Sequence, residues 1–485
     1  MLSKIKELSK DTAVYGISTI IGRFLGFLLV PYYTNLISAA EFGIYSNIYA
    51  YLAFLNIVYI YGMDAAFMKY ASVDKSNLKR IFSTSYLTMA LTSVFFTFIL
   101  YTVRNPIITL TQLGQAHSQI YYYVLAILFL DSLSIVPFAH LRLARKTKKF
   151  AFIKITNIII NLLLNIYLIS FLHYGIEGIF IANAAASLFS LIALLPEIVK
   201  YIELKINIPY LKQILKFGIP YLPASMAAMI VQVIDRPLVL AMKGKAVLGI
   251  YSANYKLGIF MMLFVSMFQY AWQPFFLNNA AEKNAKEIFS KVLTLFLTAA
   301  ALLWLFVSLF IDNFAKIELM QGRFLVGKAY WAGVYIVPII LLAYVFHGMY
   351  VNFQAGIYIK EKTRYFPYIT FGGALVNIVT NIFLIPLWGI FGAAVATLAS
   401  YITMAGISFY FSHKFYPVNY EYGKVIKILC LLIFGISAYY FLYFSNELTL
   451  LNKSVLLILF ISGMFLLRVV KTADFTSFTK MLTGK

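Results

Sequence analysis

Apolar residues run through this chain in long blocks, interrupted by short clusters of charge, glycine and proline. Most blocks reach about 20 residues, the length a helix needs to cross roughly 30 Å of hydrocarbon at about 1.5 Å per residue. Such blocks predict spanning helices and not barrel strands, which would alternate apolar and polar positions. They fall near 12–37, 42–63, 81–103, 119–141, 151–172, 176–198, 218–241 and 246–275, then 289–311, 331–357, 366–386, 389–411, 424–444 and 453–470. The pattern predicts an all-α polytopic membrane protein of about fourteen transmembrane helices.

Within this pattern the chain repeats itself. Gly43-Ile44-Tyr45-Ser46 with Tyr49 returns as Gly249-Ile250-Tyr251-Ser252 with Tyr255, an offset of 206. Asn161-x3-Asn165-Ile-x-Leu-Ile returns from Asn377 at an offset of 216, and Gly175-Ile-x-Gly178 returns as Gly389-Ile-x-Gly392 at 214. Motifs recurring in one order at nearly one displacement indicate a duplicated unit. Equivalent positions lie six spans apart, an even number, so the two halves run parallel across the membrane. The reading divides the chain into an N-lobe, 1–200, a basic linker, 201–217, a C-lobe, 218–415, and a C-terminal pair of helices with a tail, 416–485.

Composition agrees with a membrane setting. Hydrophobic residues make up 62% of the 485 and charged residues 12%, with a mean hydropathy of +0.83, too little polar surface to cover a soluble globule. The first block resembles a secretory leader but is far longer than one and carries Arg23 inside it, so it reads as a retained span. A single cysteine, Cys430, excludes an intramolecular disulfide and a thiolate cluster.

The formal charge of +22 would suggest nucleic acid in a soluble protein. Here 29 of the 40 Lys and Arg fall at the N-terminus, the turns after even-numbered spans and the C-terminus, against 7 in the turns after odd-numbered spans. That asymmetry is the positive-inside signature and puts both termini in the cytoplasm. No basic domain interleaved with aromatics remains to hold a nucleic-acid strand.

With the basic residues at span edges, Lys453 among them, counted to the turns, four remain inside the spans: Arg23, Lys154, Arg236 and Lys256. An ionised side chain at the bilayer centre costs about 2.5–3.5 kcal/mol on insertion scales, so each needs an escape route or a use. Lys154 is near a cytoplasmic end and can snorkel. Arg23 either lines a cavity or pairs with an acid such as Asp64 or Asp131, and Gly22-x3-Gly26 around it suggests a close-packing face. Asp235 stands beside Arg236 and at a depth comparable with Lys256; it either neutralises one of them within a cationic cluster or closes a structural network. Asp131 carries a proton or cation, or pairs with a neighbouring helix. The asparagines Asn157, Asn161, Asn165, Asn377 and Asn381 stack at i, i+4 and suit hydrogen bonds between helices.

Catalysis has no visible address. Gly322 to Lys328 nearly completes a phosphate loop, but Ala329 replaces the Ser or Thr that would hold magnesium. His117, His140, His173, His347 and His413 lack paired metal-ligand spacing, so no metal is expected. His347, inside a span, would suit a membrane acyltransferase, yet a lone histidine there more often packs or hydrogen-bonds.

These residues resemble a known family. The duplicated six-span halves, the two Gly-Ile-Tyr-Ser copies, Asp235-Arg236, and the paired Asn-x3-Asn and Gly-Ile-x-Gly motifs are similar to the Wzx-type polysaccharide and O-antigen flippases. That group belongs to the multidrug/oligosaccharidyl-lipid/polysaccharide (MOP) exporter superfamily. The resemblance implies a MATE-like pair of parallel six-helix lobes plus two C-terminal helices, in the cytoplasmic (inner) membrane of a bacterium. It implies alternating access and a polyprenyl-pyrophosphate-linked oligosaccharide as cargo, moved to the outer leaflet for assembly of a surface polysaccharide such as lipopolysaccharide. Arg23, Arg236 and Lys256 are then cavity cations for the substrate, and Asp235, Asp131 and Asp64 their charge partners or ion-coupling groups. No cofactor is implied beyond a coupling ion, H+ or Na+; the implied partners are membrane lipids, a polysaccharide polymerase and a chain-length regulator. The rivals are a cation-coupled multidrug exporter of the same fold and, behind it, a membrane polymerase or acyltransferase.

Overall fold

The computed structural model describes residues 26–469. Residues 26–36 are helical and form the described part of α1. Twelve helices long and apolar enough to cross a membrane follow. These are α2 (Ala39–Val73), α3 (Leu78–Thr102), α4 (Ile120–Leu143), α5 (Thr147–Phe171), α6 (Gly175–Tyr201), α7 (Ile208–Val233), α8 (Lys245–Asn279), α9 (Ala285–Ala315), α10 (Lys328–Ile359), α11 (Thr363–Trp388), α12 (Ile390–Phe415) and α13 (Tyr422–Phe444). A shorter apolar helix, α14 (Leu450–Leu466), closes the series. Every predicted block within the described residues is therefore helical. In hydrocarbon a helix satisfies its own backbone N–H and C=O groups, which is why apolar length alone selects it. Large side chains such as Leu91, Phe98, Phe171, Phe383, Leu387 and Phe441 stay exposed, as lipid-facing positions of spanning helices must.

The helices outrun the apolar blocks. The eighth block predicts 246–275, while α8 runs over 35 residues, and α9 covers 31. Their polar ends stay helical because backbone hydrogen bonding continues past the apolar run. Others are punctuated: α2 breaks at Tyr61 and Gly62, where φ is +33° and +75°, and α5 ends in a π turn, Tyr167–Phe171. A short helix, Asp235–Lys243, prolongs α7. At the start of α2, Ser38 accepts from the Glu41 amide while the Glu41 carboxylate receives the Ser38 N–H, a reciprocal capping box.

By contacts the chain divides between Ala253 and Asn254 into two compact units. In the first, the repeated sequence has visible causes. Gly175 adopts φ +55° at the turn into α6, and a Cβ on Gly178 would stand 3.1 Å from Leu168 Cβ. Asn165 Nδ2 donates to the Asn161 carbonyl and side chain at 2.7 and 3.1 Å. Asn47 reaches out of α2 and donates to the Thr111 carbonyl at 3.1 Å, holding the segment that leads into α4.

The second unit reproduces these devices. Gly389 takes φ +58°, and a Cβ on Gly392 would meet the Leu384 carbonyl oxygen at 2.2 Å. Asn381 donates to Asn377 at 2.9 and 3.0 Å. Asn254 donates to the Tyr330 carbonyl at 2.8 Å, again fixing the segment that opens a later span, α10.

At the rim of the first unit, Asp74 follows α2 and accepts from Tyr210 at 2.6 Å, tying down the amphipathic helix Ile208–Gly218 that begins α7. Hydrogen bonds from Tyr210, then Ser76 and Asn77, hold the Asp74 carboxyl at about 2 instead of 3.8. A depressed folded-state pKa contributes stability that is complete above the ordinary value and lost as pH falls through the lowered one. The contribution of this bond to the docking of Ile208–Gly218 is therefore expected to be complete above pH 3.8 and to fall away between there and about 2. Tyr210→Phe should bring the folded-state value back toward 3.8 and so flatten this pH dependence, read as amide exchange of the helix against pH.

Candidate functional site

The polar side chains that the membrane would penalise are gathered in small networks. In the first unit Asp235 is buried, its side chain 3% exposed and that of Arg236 16%. Asp235 Oδ1 accepts from the Arg236 backbone N–H at 3.0 Å and from its guanidinium at 3.1 Å. The guanidinium also donates to the Gln232 carbonyl at 2.6 Å. The other Asp235 oxygen accepts from the hydroxyl of fully buried Tyr251. Tyr251 is the tyrosine of the second Gly-Ile-Tyr-Ser copy, so the repeat motif itself fixes the carboxylate that orients Arg236.

A second network surrounds Asp131 on α4. Ser187 of α6 hydrogen-bonds its carboxylate, and Lys154 of α5 supplies the opposite charge. Lys154 is also placed 4.2 Å from the centre of the Phe138 ring, a cation–π distance. Spacing alone offers Lys154 only an escape to the surface; the structure couples it to Asp131. Beside this network Asn183 donates to the Tyr49 hydroxyl at 2.7 Å, and Tyr33 donates to Asn165 at 2.8 Å. Tyr45, Tyr49 and Phe180 form an aromatic cluster with Tyr33. Its tyrosines lie on α1 and α2 at helical spacing, a signal that sequence reasoning read only as part of a repeat.

Asp64 pairs with Arg142 at 3.7 Å. Arg23 lies outside the described residues. Toward the end of α6, Glu197 draws in Lys146 at 2.8 Å and Lys149 at 3.0 Å, with His140 at 3.7 Å.

In the second unit, Lys256 opens a single 3-10 turn, Lys256–Gly258, inside α8, and is partly buried. His347 packs among Tyr344, Tyr350 and Tyr401. The near phosphate loop is an antiparallel hairpin, Glu318–Met320 with Arg323–Phe324, where a nucleotide-binding loop needs a strand leading directly into a helix. Gly26 has no atom within 4 Å of an added Cβ among the described residues; Gly22, the other half of the expected close-packing face, lies outside them.

The asparagines act as helix glue. Asn157 of α5 donates to the Ala186 carbonyl at 2.6 Å and to Ser190 at 2.9 Å, both on α6, and Asn377 reaches the Ala396 carbonyl of α12 at 3.5 Å. Missed by the sequence reading is Lys453, counted there in an external turn. It lies in α14, 2% exposed, and its ammonium donates to Asp312 at 2.7 and 2.9 Å and to Asn313 at 2.6 Å. Its flanks, Leu450-Leu451-Asn452 and Ser454-Val455-Leu456, gave no cue that a lysine would find an acid on α9.

Solved structures with this fold are membrane transporters. The lipid II flippase MurJ in an inward closed conformation superimposes with a TM-score of 0.72 at 17% identity, covering 95% of this chain and 100% of that one. An inward-facing multidrug resistance MATE family transporter of the MOP superfamily matches with a TM-score of 0.67 at 12% identity, covering 81% and 94%. The Vibrio cholerae MATE transporter VcmN, as its D35N mutant, matches with a TM-score of 0.56 at 13% identity, covering 85% and 96%. No curated protein sequence matches the chain. The profile of one family, described as polysaccharide biosynthesis protein, matches residues 8–280, more than half of the chain, and the chain therefore belongs to the polysaccharide biosynthesis protein family.

Proposed function

We propose that this protein flips a polyprenyl-pyrophosphate-linked oligosaccharide from the cytoplasmic to the outer leaflet, by alternating access along a cationic path. The observation that carries this reading over drug export is coverage. The MurJ fold accounts for 95% of the chain, whereas the MATE folds account for 81% and 85%. The MATE shortfalls, 19% and 15% of the chain, are each at least as long as the segment from 416 to 485, which holds α13 and α14. Membership in a polysaccharide biosynthesis family supports a glycan cargo.

The chemistry is consistent with that cargo. A pyrophosphate cannot cross hydrocarbon exposed, so fixed cations must replace its water while the lipid tail stays in the bilayer. An arginine held at two points, as Arg236 is by Asp235 and Gln232, presents a pre-oriented planar fork suited to phosphate oxygens. Arg23 and Lys256 supply the charge that Asp235 does not offset. An inside-negative potential favours outward movement of negative charge by about 2.3 kcal/mol per charge per 100 mV, which would drive export without nucleotide hydrolysis.

Reconstitution in liposomes with a fluorescent polyprenyl-pyrophosphate oligosaccharide tests the reading. Replacing Arg23, Arg236 and Lys256 together with Gln should lower the flipping rate at least about tenfold, the change that roughly 1.4 kcal/mol of lost phosphate stabilisation produces. Unchanged flipping by the folded triple variant would remove the cationic path. Ion-gradient-dependent efflux of a cationic amphiphile, abolished by Asp131→Asn, would instead establish the drug exporter. Covalent alteration of the glycan, lost in His347→Ala, would establish an enzyme.

A further inference from the structure

The two Gly-Ile-Tyr-Ser copies touch each other. A Cβ built on Gly43 of α2 would stand 2.0 Å from the Lys245 carbonyl oxygen and 3.1 Å from the Gly249 nitrogen. A Cβ on Gly249 of α8 would stand 1.8 Å from the Ala39 carbonyl oxygen and 3.1 Å from the Gly43 nitrogen. Lys245 is Ala39 displaced by 206 residues, and Gly249 is Gly43 displaced by the same number. One contact is thus made twice, each copy offering the other the same carbonyl and the same bare Cα. Both obstacles are backbone atoms, so no rotamer change would admit even a methyl group.

Three residues beyond each glycine lies a serine, Ser46 and Ser252, 5% and 2% exposed. Neither hydroxyl has a hydrogen-bond partner among the described residues. Buried hydroxyls normally find one, so the closed crossing leaves two polar groups dry that water would satisfy if the helices parted.

We propose that this crossing is the outer gate of the transport path. Its closed state is stabilised by backbone-to-backbone packing at Gly43 and Gly249 and opposed by the two dehydrated serines, so opening exchanges packing for hydration. The basic-residue asymmetry places the starts of both motif-bearing spans on the outer side. The proposal rests on the flippase reading for its cargo, while the opening of the crossing itself is tested without one.

The test starts from Cys430→Ser, which removes the chain's one cysteine. Ala39→Cys and Lys245→Cys are added together, leaving both glycines in place, and joined in intact cells by a short reducible bismaleimide. Cross-linking should cut delivery of the lipid-linked glycan to the outer leaflet at least about tenfold, and reduction should restore it. Undiminished delivery by cross-linked protein overturns the gate.

A second arm needs no cargo. Labelling of Ser46→Cys or Ser252→Cys by a membrane-impermeant maleimide from outside should rise about tenfold when Gly249→Leu wedges the helices apart. It should not rise with Gly406→Leu, a helix glycine with no atom within 4 Å of its added Cβ. Labelling that does not respond, or that occurs only from the cytoplasmic side, also overturns the gate. If labelling responds but the protein moves no glycan, the gate stands and the flippase reading falls. If glycan moves whether or not the crossing is linked, the reverse holds.

Discussion

Lys453→Met is expected to produce a large loss of stability, seen as a lowered unfolding temperature of the detergent-solubilised protein. The ammonium is 2% exposed and meets both oxygens of Asp312, whose side chain is 24% exposed. Removing one partner of a buried pair costs about 3–5 kcal/mol, because the charge left behind is neither hydrated nor paired. Asp312 keeps some access to solvent, so about 3 kcal/mol, the lower end, is the expected value. Adding Asp312→Leu should recover most of the loss, since an apolar pair of similar volume is often as stable as a buried ion pair. If the double variant is no better than the single, the helices α9 and α14 are held by packing and the ion pair is incidental.

Asp235→Ala should be costlier still, and a graded series explains why. The carboxylate accepts from Arg236 twice and from the Tyr251 hydroxyl. Alanine breaks the ion pair, about 3–5 kcal/mol, and strands the hydroxyl of a fully buried tyrosine, about 1–3 kcal/mol more. Asp235→Asn keeps an acceptor for Tyr251 and loses only the charge, so it should fall well short of alanine. Tyr251→Phe removes the donor alone and should cost about 1.5–3 kcal/mol, the worth of a hydrogen bond to a charged group. Unfolding temperatures should rank the alanine variant lowest, with the other two close together above it. Equal damage from Asn and Ala would mean that the hydroxyl's acceptor contributes little and the charge pair nearly everything.

The architecture was legible because hydrocarbon leaves a helix little choice. Apolar length located α2 to α14, and the two glycine motifs marked real turns, Gly175 and Gly389 at positive φ. Partnerships were less legible. Asp64 pairs with Arg142, because a basic turn folds back on α2 in a way that spacing does not reveal. Asp235 was correctly set beside Arg236, yet the residue fixing both is Tyr251, 16 positions away. Asp131 meets Ser187 and Lys154, contributed by two other helices that spacing does not name. Side chains that meet across helices are chosen by rotation and depth, and a hydrophobic block encodes neither.

The asparagine anchors carry a consequence for how such proteins diverge. Asn47 and Asn254 make the same bond, to Thr111 and Tyr330, but are 207 residues apart where the neighbouring motif repeats at 206. Laid letter against letter, the two halves put Ala253 opposite Asn47, and the bond would be counted as lost. The same tether is thus made in both halves by residues one position out of register. An ancestral sequence inferred column by column would tend to erase both asparagines, and with them the ties holding the segments before α4 and α10.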